Sequence, residues 1–263
     1  MPGFLMLAFA LVGCGSGESG AAGVAATASS PASAARASTA PGRARATRSR
    51  RRHVSHASSS AQVSVPAPRV VQDPIPFGAR RKAEMTAYAA RHYSSFMAPT
   101  YRLAHPRVIV IHFTETPDFQ STYNTFAPDH PDPELHELPN TCAHFVIDRS
   151  GVIHQLVPVG IMCRHTVGLN WTAIGIEHVG YSDREILETR AQMAMSLRLV
   201  RWLRCKFHIA IANVIGHNES RSSAFHREDV AALRSQTHSD FNHADMQLYR
   251  GRLRALGACA GGG

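Results

Sequence analysis

Residues 108–111 read Val-Ile-Val-Ile, four β-branched residues in a row, so a strand built from them is apolar on both faces. Such a strand must be covered from both sides, which calls for a sheet with layers above and below it. A second stretch, TAIGIEHVGY at 172–181, is equally apolar and is bounded by Asn170 and by Ser182-Asp183. Side chains alternate across a strand, so Ala173, Gly175, Glu177 and Val179 share one face, while Ile174, Ile176 and His178 share the other. Glu177 therefore stands beside a glycine, with room above the strand. A buried, unpaired carboxylate costs several kcal/mol or takes up a proton, so an acid here calls for a cation, a donor or a reacting water nearby. An edge strand with Glu177 facing water is the other reading.

The rest of 73–256 supplies the layers. Helical composition over 79–95 places Met85, Tyr88 and His92 at helical spacing. Two short strands, 144–148 and 152–157, are joined through Arg149-Ser150-Gly151 as a hairpin. A long helix is expected over 184–207, with Met193, Leu197, Val200 and Phe207 at three- and four-residue steps. A short strand follows and ends at His217; 218–243 reads as irregular, and 244–256 as a closing helix. This order predicts an α/β domain over 73–256 with a single central mixed β-sheet flanked by helices.

The N-terminal part is of another kind. The 263-residue chain has a net charge of +9, but residues 1–70 hold eight Arg, no Lys and one acid, leaving about +2 for the rest. The basic pI thus belongs to an arm, and a nucleic-acid-binding domain is not implied. Residues 1–14 form an apolar run ending Leu11-Val12-Gly13-Cys14, read as a signal peptide whose end resembles a bacterial lipobox, although no Lys or Arg precedes it. The expectation is an exported protein of the bacterial cell envelope, anchored to the membrane by lipid on Cys14; an incidental cysteine is the alternative. Residues 15–72 are Ala, Ser, Thr, Pro and Arg with few large apolar side chains, the composition of a disordered tether.

Sixteen histidines are present, and their positions matter more than their number. His112 ends one apolar strand and His217 another, so both can project from one edge of the sheet, where α/β proteins build their sites. Two neutral imidazoles and a carboxylate can hold zinc with a fourth position open. THSDF at 237–241 offers Asp240, and His238 could turn toward the same centre.

The segments VIVIHFTET, AHFVIDRSGVIHQLVP, CRHTVG, AIGIEHVGY and VIGHNES, followed by THSDF, run in order across roughly 107–241. In that order they resemble the zinc-dependent N-acetylmuramoyl-L-alanine amidases of the Amidase_2 family, which share the peptidoglycan recognition protein fold. The resemblance implies His112 and His217 as zinc ligands, Asp240 as the third ligand and Glu177 as the catalytic glutamate. His238 stands where the family often has a lysine, a place from which an imidazole N–H can also donate to an oxyanion. The interval from His217 to Asp240 is longer than in compact family members, so His238, His226 and Asp229 remain alternatives for the third ligand.

His144 and His165 match groove histidines of the family and are expected to touch substrate or to stand directly behind the residues that do, with Asn170 as a further substrate contact; Trp171 and Tyr181 are further groove candidates. Ordinary hydrogen-bonded histidines are the other reading. The implied substrate is peptidoglycan or its muropeptides, and a non-catalytic peptidoglycan-binding module of the same fold is the competing function. Cys142 and Cys163 each stand two residues before a groove histidine, and an exported protein can join them as a disulfide, free thiols being the alternative. No motif speaks to oligomeric state.

Overall fold

The computed structural model describes residues 65–259. The signal-like segment, Cys14 and most of the tether lie outside the described residues. The elements are β1 (Val71–Gln72), α1 (Ala79–Tyr93), β2 (Val108–Phe113), α2 (Phe119–Phe126), β3 (Phe145–Ile147), β4 (Ile153–Gln155), β5 (Ala173–His178), α3 (Asp183–Glu188), α4 (Arg190–Lys206), β6 (Val214–Gly216) and α5 (His243–Ala255). Among them no helix is long and apolar enough to cross a membrane.

One mixed six-stranded sheet has the order β1-β4-β3-β5-β2-β6. Only the β3–β4 hairpin is antiparallel; all other neighbours run parallel. The doubly apolar β2 is internal, between β5 and the edge strand β6, and β5 is also internal, which excludes an edge position for Glu177.

The two faces of the sheet have different tasks. Ile109, Ile111, Ile174, Ile176, Phe145 and Ile147 point to one face and pack under Met193, Leu197, Val200 and Leu203 of α4 and Met246, Tyr249 and Leu253 of α5. That is the main core. On the other face Val108, Val110, Ala173 and Ile215 pack with Leu169 from the segment after Cys163. Helix α1 lies against this segment, with Met85, Tyr88, Ala89 and Tyr93 packed on Met162 and Trp171.

Several details differ from expectation. The helix expected over 184–207 is two helices that meet at Thr189, whose backbone is extended at ψ 92°; its N–H and its hydroxyl both donate to Glu185 O, at 3.0 and 2.8 Å, and close the first helix. Helix α2 was not legible because FQSTYNTF has little apolar periodicity; it starts where Asp118 accepts from Ser121 N at 2.7 Å. The expected 73–256 interval leaves out β1, two exposed residues paired with β4, and Cys259. Cys142 is joined to Cys163 as expected, and Cys205 to Cys259, a pairing of residues 54 apart that nothing in the sequence announced.

A buried ion cluster holds the loops over the site-bearing face. His92 of α1 lies between Glu228, 2.9 Å from Nδ1, and Glu137, 3.0 Å from Nε2, and Tyr88 stacks on its ring. Burial alone would lower the pKa of His92, but the two carboxylates outweigh it and raise it. A group with a raised folded pKa contributes stability in full below its unfolded value, about 6.5, and loses it as pH rises through the folded value. The thermal midpoint of the domain is therefore expected to fall as pH rises above neutrality, and His92→Gln to flatten that dependence. A midpoint just as pH-dependent in the variant would show that His92 is not its source.

Candidate active site

Three parallel strands set the site. Register pairs His112 with Glu177 across β2 and β5, and Ile111 with Gly216 across β2 and β6, so His217, one residue past Gly216, reaches the same sheet end as His112. Asp240 enters from the segment before α5, which can come close because Gly216 has no side chain. A Cβ there would sit 1.8 Å from the Phe241 carbonyl oxygen.

His112, His217 and Asp240 then present ligating atoms that all lie within 4.8 Å of one another, and all three residues are buried. His112 Nδ1 is 3.0 Å from Asp240 Oδ2, and His217 Nδ1 is 3.4 Å from Asp240 Oδ1. Glu177 borders the group at 9% exposure. His217 Nε2 and Glu177 Oε2 are buried with no hydrogen-bond partner. Buried polar atoms are nearly always satisfied, so two orphans in one small cluster mark a place for a polar guest.

The electrostatics point the same way. Burial pulls the His112 pKa down to about 3, with His238 and His178 adding to the effect, and holds His217 well below the usual histidine range. Both imidazoles are neutral, the form that ligates metal. Burial raises Asp240 against the pull of His217 and His238. Glu177 is driven well above the carboxylate range, first by burial and then by the Asp240 and Glu115 carboxylates. Carboxyl groups so placed ionise when positive charge stands beside them. Two neutral nitrogens and one carboxylate, with a second carboxyl alongside, fit a zinc ion with an open position.

The other expected site residues divide. His238 is half-exposed at the mouth, stacked on His217 with ring centroids 4.6 Å apart, and its Nε2 meets Glu134 at 3.0 Å. That hydrogen bond raises its pKa. His238 is not part of the ligating group. The alternative ligands lie elsewhere: His226 packs against Gly168, and Asp229 accepts from Ser95 N at 2.9 Å.

His165 fills the room expected beside Gly175, where an added Cβ would meet the imidazole at 2.6 Å; its Nδ1 is 3.2 Å from His112 Nε2. His144 is a correction to the expectation of substrate contact. It is fully buried, its Nδ1 accepts from Gly175 N and its Nε2 donates to Ile161 O, both at 3.0 Å, so no nitrogen is left for a substrate. Asn170 lines the cleft beside His165 and also shapes the loop that carries it: Oδ1 accepts from His165 N and Thr166 N, and Nδ2 donates one N–H to Tyr88 Oη. Trp171 donates to Gly168 O and packs on Phe96, while Tyr181 is exposed under the Arg149 guanidinium.

Sequence reasoning missed the outer wall. A cleft beside His217 and His238 is also lined by Tyr88, Glu134, Leu135 and Arg164. Arg164 pins that wall by donating to Glu137 O at 2.7 Å and to Asp132 at 2.9 Å, with its guanidinium over the Tyr88 ring. Glu134 also accepts from Gln236 at 3.0 Å, so the loop before Cys142 and the segment before Asp240 meet across the mouth.

A family model described as N-acetylmuramoyl-L-alanine amidase, Amidase_2, matches residues 102–240. No curated protein matches the chain. Among solved structures, the endolysin amidase LysCS from Clostridium intestinale URNW is 22% identical, covering 60% of this chain and 87% of that one, with a TM-score of 0.41. A selenomethionine derivative of AmpD is 17% identical over 71% of this chain and 97% of that one, with a TM-score of 0.43. The amidase AmiD from E. coli, in complex with the substrate anhydro-N-acetylmuramic acid-L-Ala-D-gamma-Glu-L-Lys, is 25% identical over 44% of this chain and 50% of that one, with a TM-score of 0.35.

Proposed function

The chain belongs to the N-acetylmuramoyl-L-alanine amidase family, and from that premise we propose that His112, His217 and Asp240 hold a zinc ion and that Glu177 is the general base beside it. The reaction is hydrolysis of the peptidoglycan amide between the lactyl group of N-acetylmuramic acid and L-alanine. The observation that carries the assignment of residues is the single buried group formed by the two histidines and Asp240, with the unpartnered Glu177 carboxyl on its border.

Zinc held there supplies positive charge that polarises the scissile carbonyl and makes a water more acidic. The Glu177 carboxylate takes the proton from the attacking water and returns it to the nitrogen of the leaving alanine. His165, with its Nδ1 3.2 Å from His112 Nε2, holds the His112 ring in position. His238 carries its Nε2 proton toward Glu134, so a donation to the oxyanion comes from its Nδ1, or from Nε2 once substrate displaces Glu134. A binding-only module has less support, because both imidazoles, the third ligand and the glutamate are all in place.

Metal analysis of the purified chain together with hydrolysis of a muropeptide tests this reading. About one zinc per active chain is expected; no bound metal, and no activity on adding zinc, would refute it. We propose further that residues 1–14 direct export, that Cys14 carries a lipid anchor and that the chain from 15 to about 64 is a tether for a folded domain reaching from about 65 to 259. Incorporation of a fatty-acid analogue in wild type but not in Cys14→Ala is the expected result; an unlabelled wild-type chain would defeat the anchor.

A further inference from the structure

Asp183 opens α3, five residues past the end of β5, and its side chain reaches across to the segment that carries Asp240. Its Oδ1 accepts from Phe241 N at 2.7 Å, and its Oδ2 from Asn242 N and Asn242 Nδ2, both at 2.9 Å. These are the two residues directly after the third ligand. Phe241 has φ 53°, in the left-handed region, a costly conformation for a bulky aromatic that persists only where the surroundings impose it.

Several contacts impose it. The Phe241 ring is fully buried between Phe113, His178 and Tyr249, and its carbonyl closes on Gly216. These fix where Phe241 lies. The peptide group joining Asp240 to Phe241 is held separately at both ends: its carbonyl accepts from Asn218 N at 2.9 Å, and its N–H donates to Asp183. Asn218 follows His217, so one end of this peptide is tied to a second ligand. The tilt of the plane, and with it the direction from which the Asp240 carboxylate meets His112 and His217, depends on the Asp183 end.

We propose that Asp183 is a positioning residue for the metal centre, clamping the Asp240–Phe241 peptide so that Asp240 faces the two histidines before metal arrives. The inference rests on the metal reading of His112, His217 and Asp240. Asp183 is not needed to cap α3, since Ser182 does so by accepting from Glu185 N at 3.2 Å. That gives the experiment its control: Ser182→Ala weakens the same helix end and leaves the clamp intact.

Zinc affinity is measured on the full chain by competition with a chromophoric chelator, for wild type, Asp183→Ala, Asp183→Asn and Ser182→Ala. Groups that orient a ligand typically contribute about 10–100-fold in metal affinity. Asp183→Ala is expected to bind zinc weaker by about that factor, with turnover restored by excess zinc. Asp183→Asn, which keeps one acceptor oxygen, is expected between it and wild type, and Ser182→Ala at the wild-type value. If Asp183→Ala does not fold, Asp183→Asn against Ser182→Ala decides. Equal affinity in wild type and the Asp183 variants, or an equal fall in Ser182→Ala, overturns the clamp alone. A wild-type chain that takes up no zinc overturns the metal centre, and the clamp with it.

Discussion

Glu177→Gln is expected to keep zinc bound while amide hydrolysis falls by about 10²–10⁴-fold, the usual contribution of a general base. The substitution preserves shape and hydrogen bonding but removes the ability to accept a proton. Glu177 is internal in the sheet, paired with His112 on one side and Val146 on the other, so an isosteric amide fits without moving a strand. Burial and two neighbouring carboxylates disfavour the ionised form, and neutralising the side chain should therefore leave the fold as stable or more so. Zinc content, unfolding midpoint and turnover measured on one preparation separate the outcomes. Turnover within a few-fold of wild type would remove Glu177 from the chemistry, and lost zinc would make it a ligand.

His217→Ala is expected to lose both zinc and activity, the latter by at least the ~10²–10⁴-fold that loss of the base produces. A site of three protein ligands that loses one is incomplete. Asp240→Asn should weaken metal binding by removing the carboxylate charge, and His238→Ala should keep the metal, because His238 stands outside the buried group and is paired with Glu134. Metal lost in His238→Ala but kept in Asp240→Asn would exchange the two roles. Zinc stoichiometry after dialysis, beside hydrolysis rates, gives the answer.

The parts of this molecule that were legible are those where a local pattern had a single physical meaning. A run such as Val108–Ile111 can only be an inner strand, and an acid in a strand as apolar as 172–181 has to have company. Histidines that end such strands fall at one sheet edge because the strands are parallel. The types of residue around the site were less informative. His144 and His165 look alike in the sequence, yet both nitrogens of His144 are taken by backbone, while His165 lies against His112 and lines the cleft with Asn170. Nothing local distinguishes a histidine bonded to the backbone from one that lines a cleft.

The outer wall was hidden for a different reason. Glu134 meets His238 across 104 residues of chain, and both are exposed loop residues whose pairing depends on how Arg164 and His92 fasten the loops. Asp183 was visible only as the end of a strand, since its partners lie 58 and 59 residues on. The break at Thr189 was hidden as well: the apolar spacing of 184–207 is compatible with one continuous helix, and a single extended residue interrupts it.

The division of labour between the sheet faces bears on how such a chain can change over generations. The isoleucines of β2 and β5 that bury α4 and α5 point away from His112, Glu177 and His217, so selection on folding and selection on chemistry act on alternate residues of the same strands. Under the proposed mechanism, a single nucleotide change at Glu177 silences the reaction and leaves the scaffold, its loops and its cleft as they were. A lineage carrying that change keeps a folded protein on which drift, or a new selective pressure, can act.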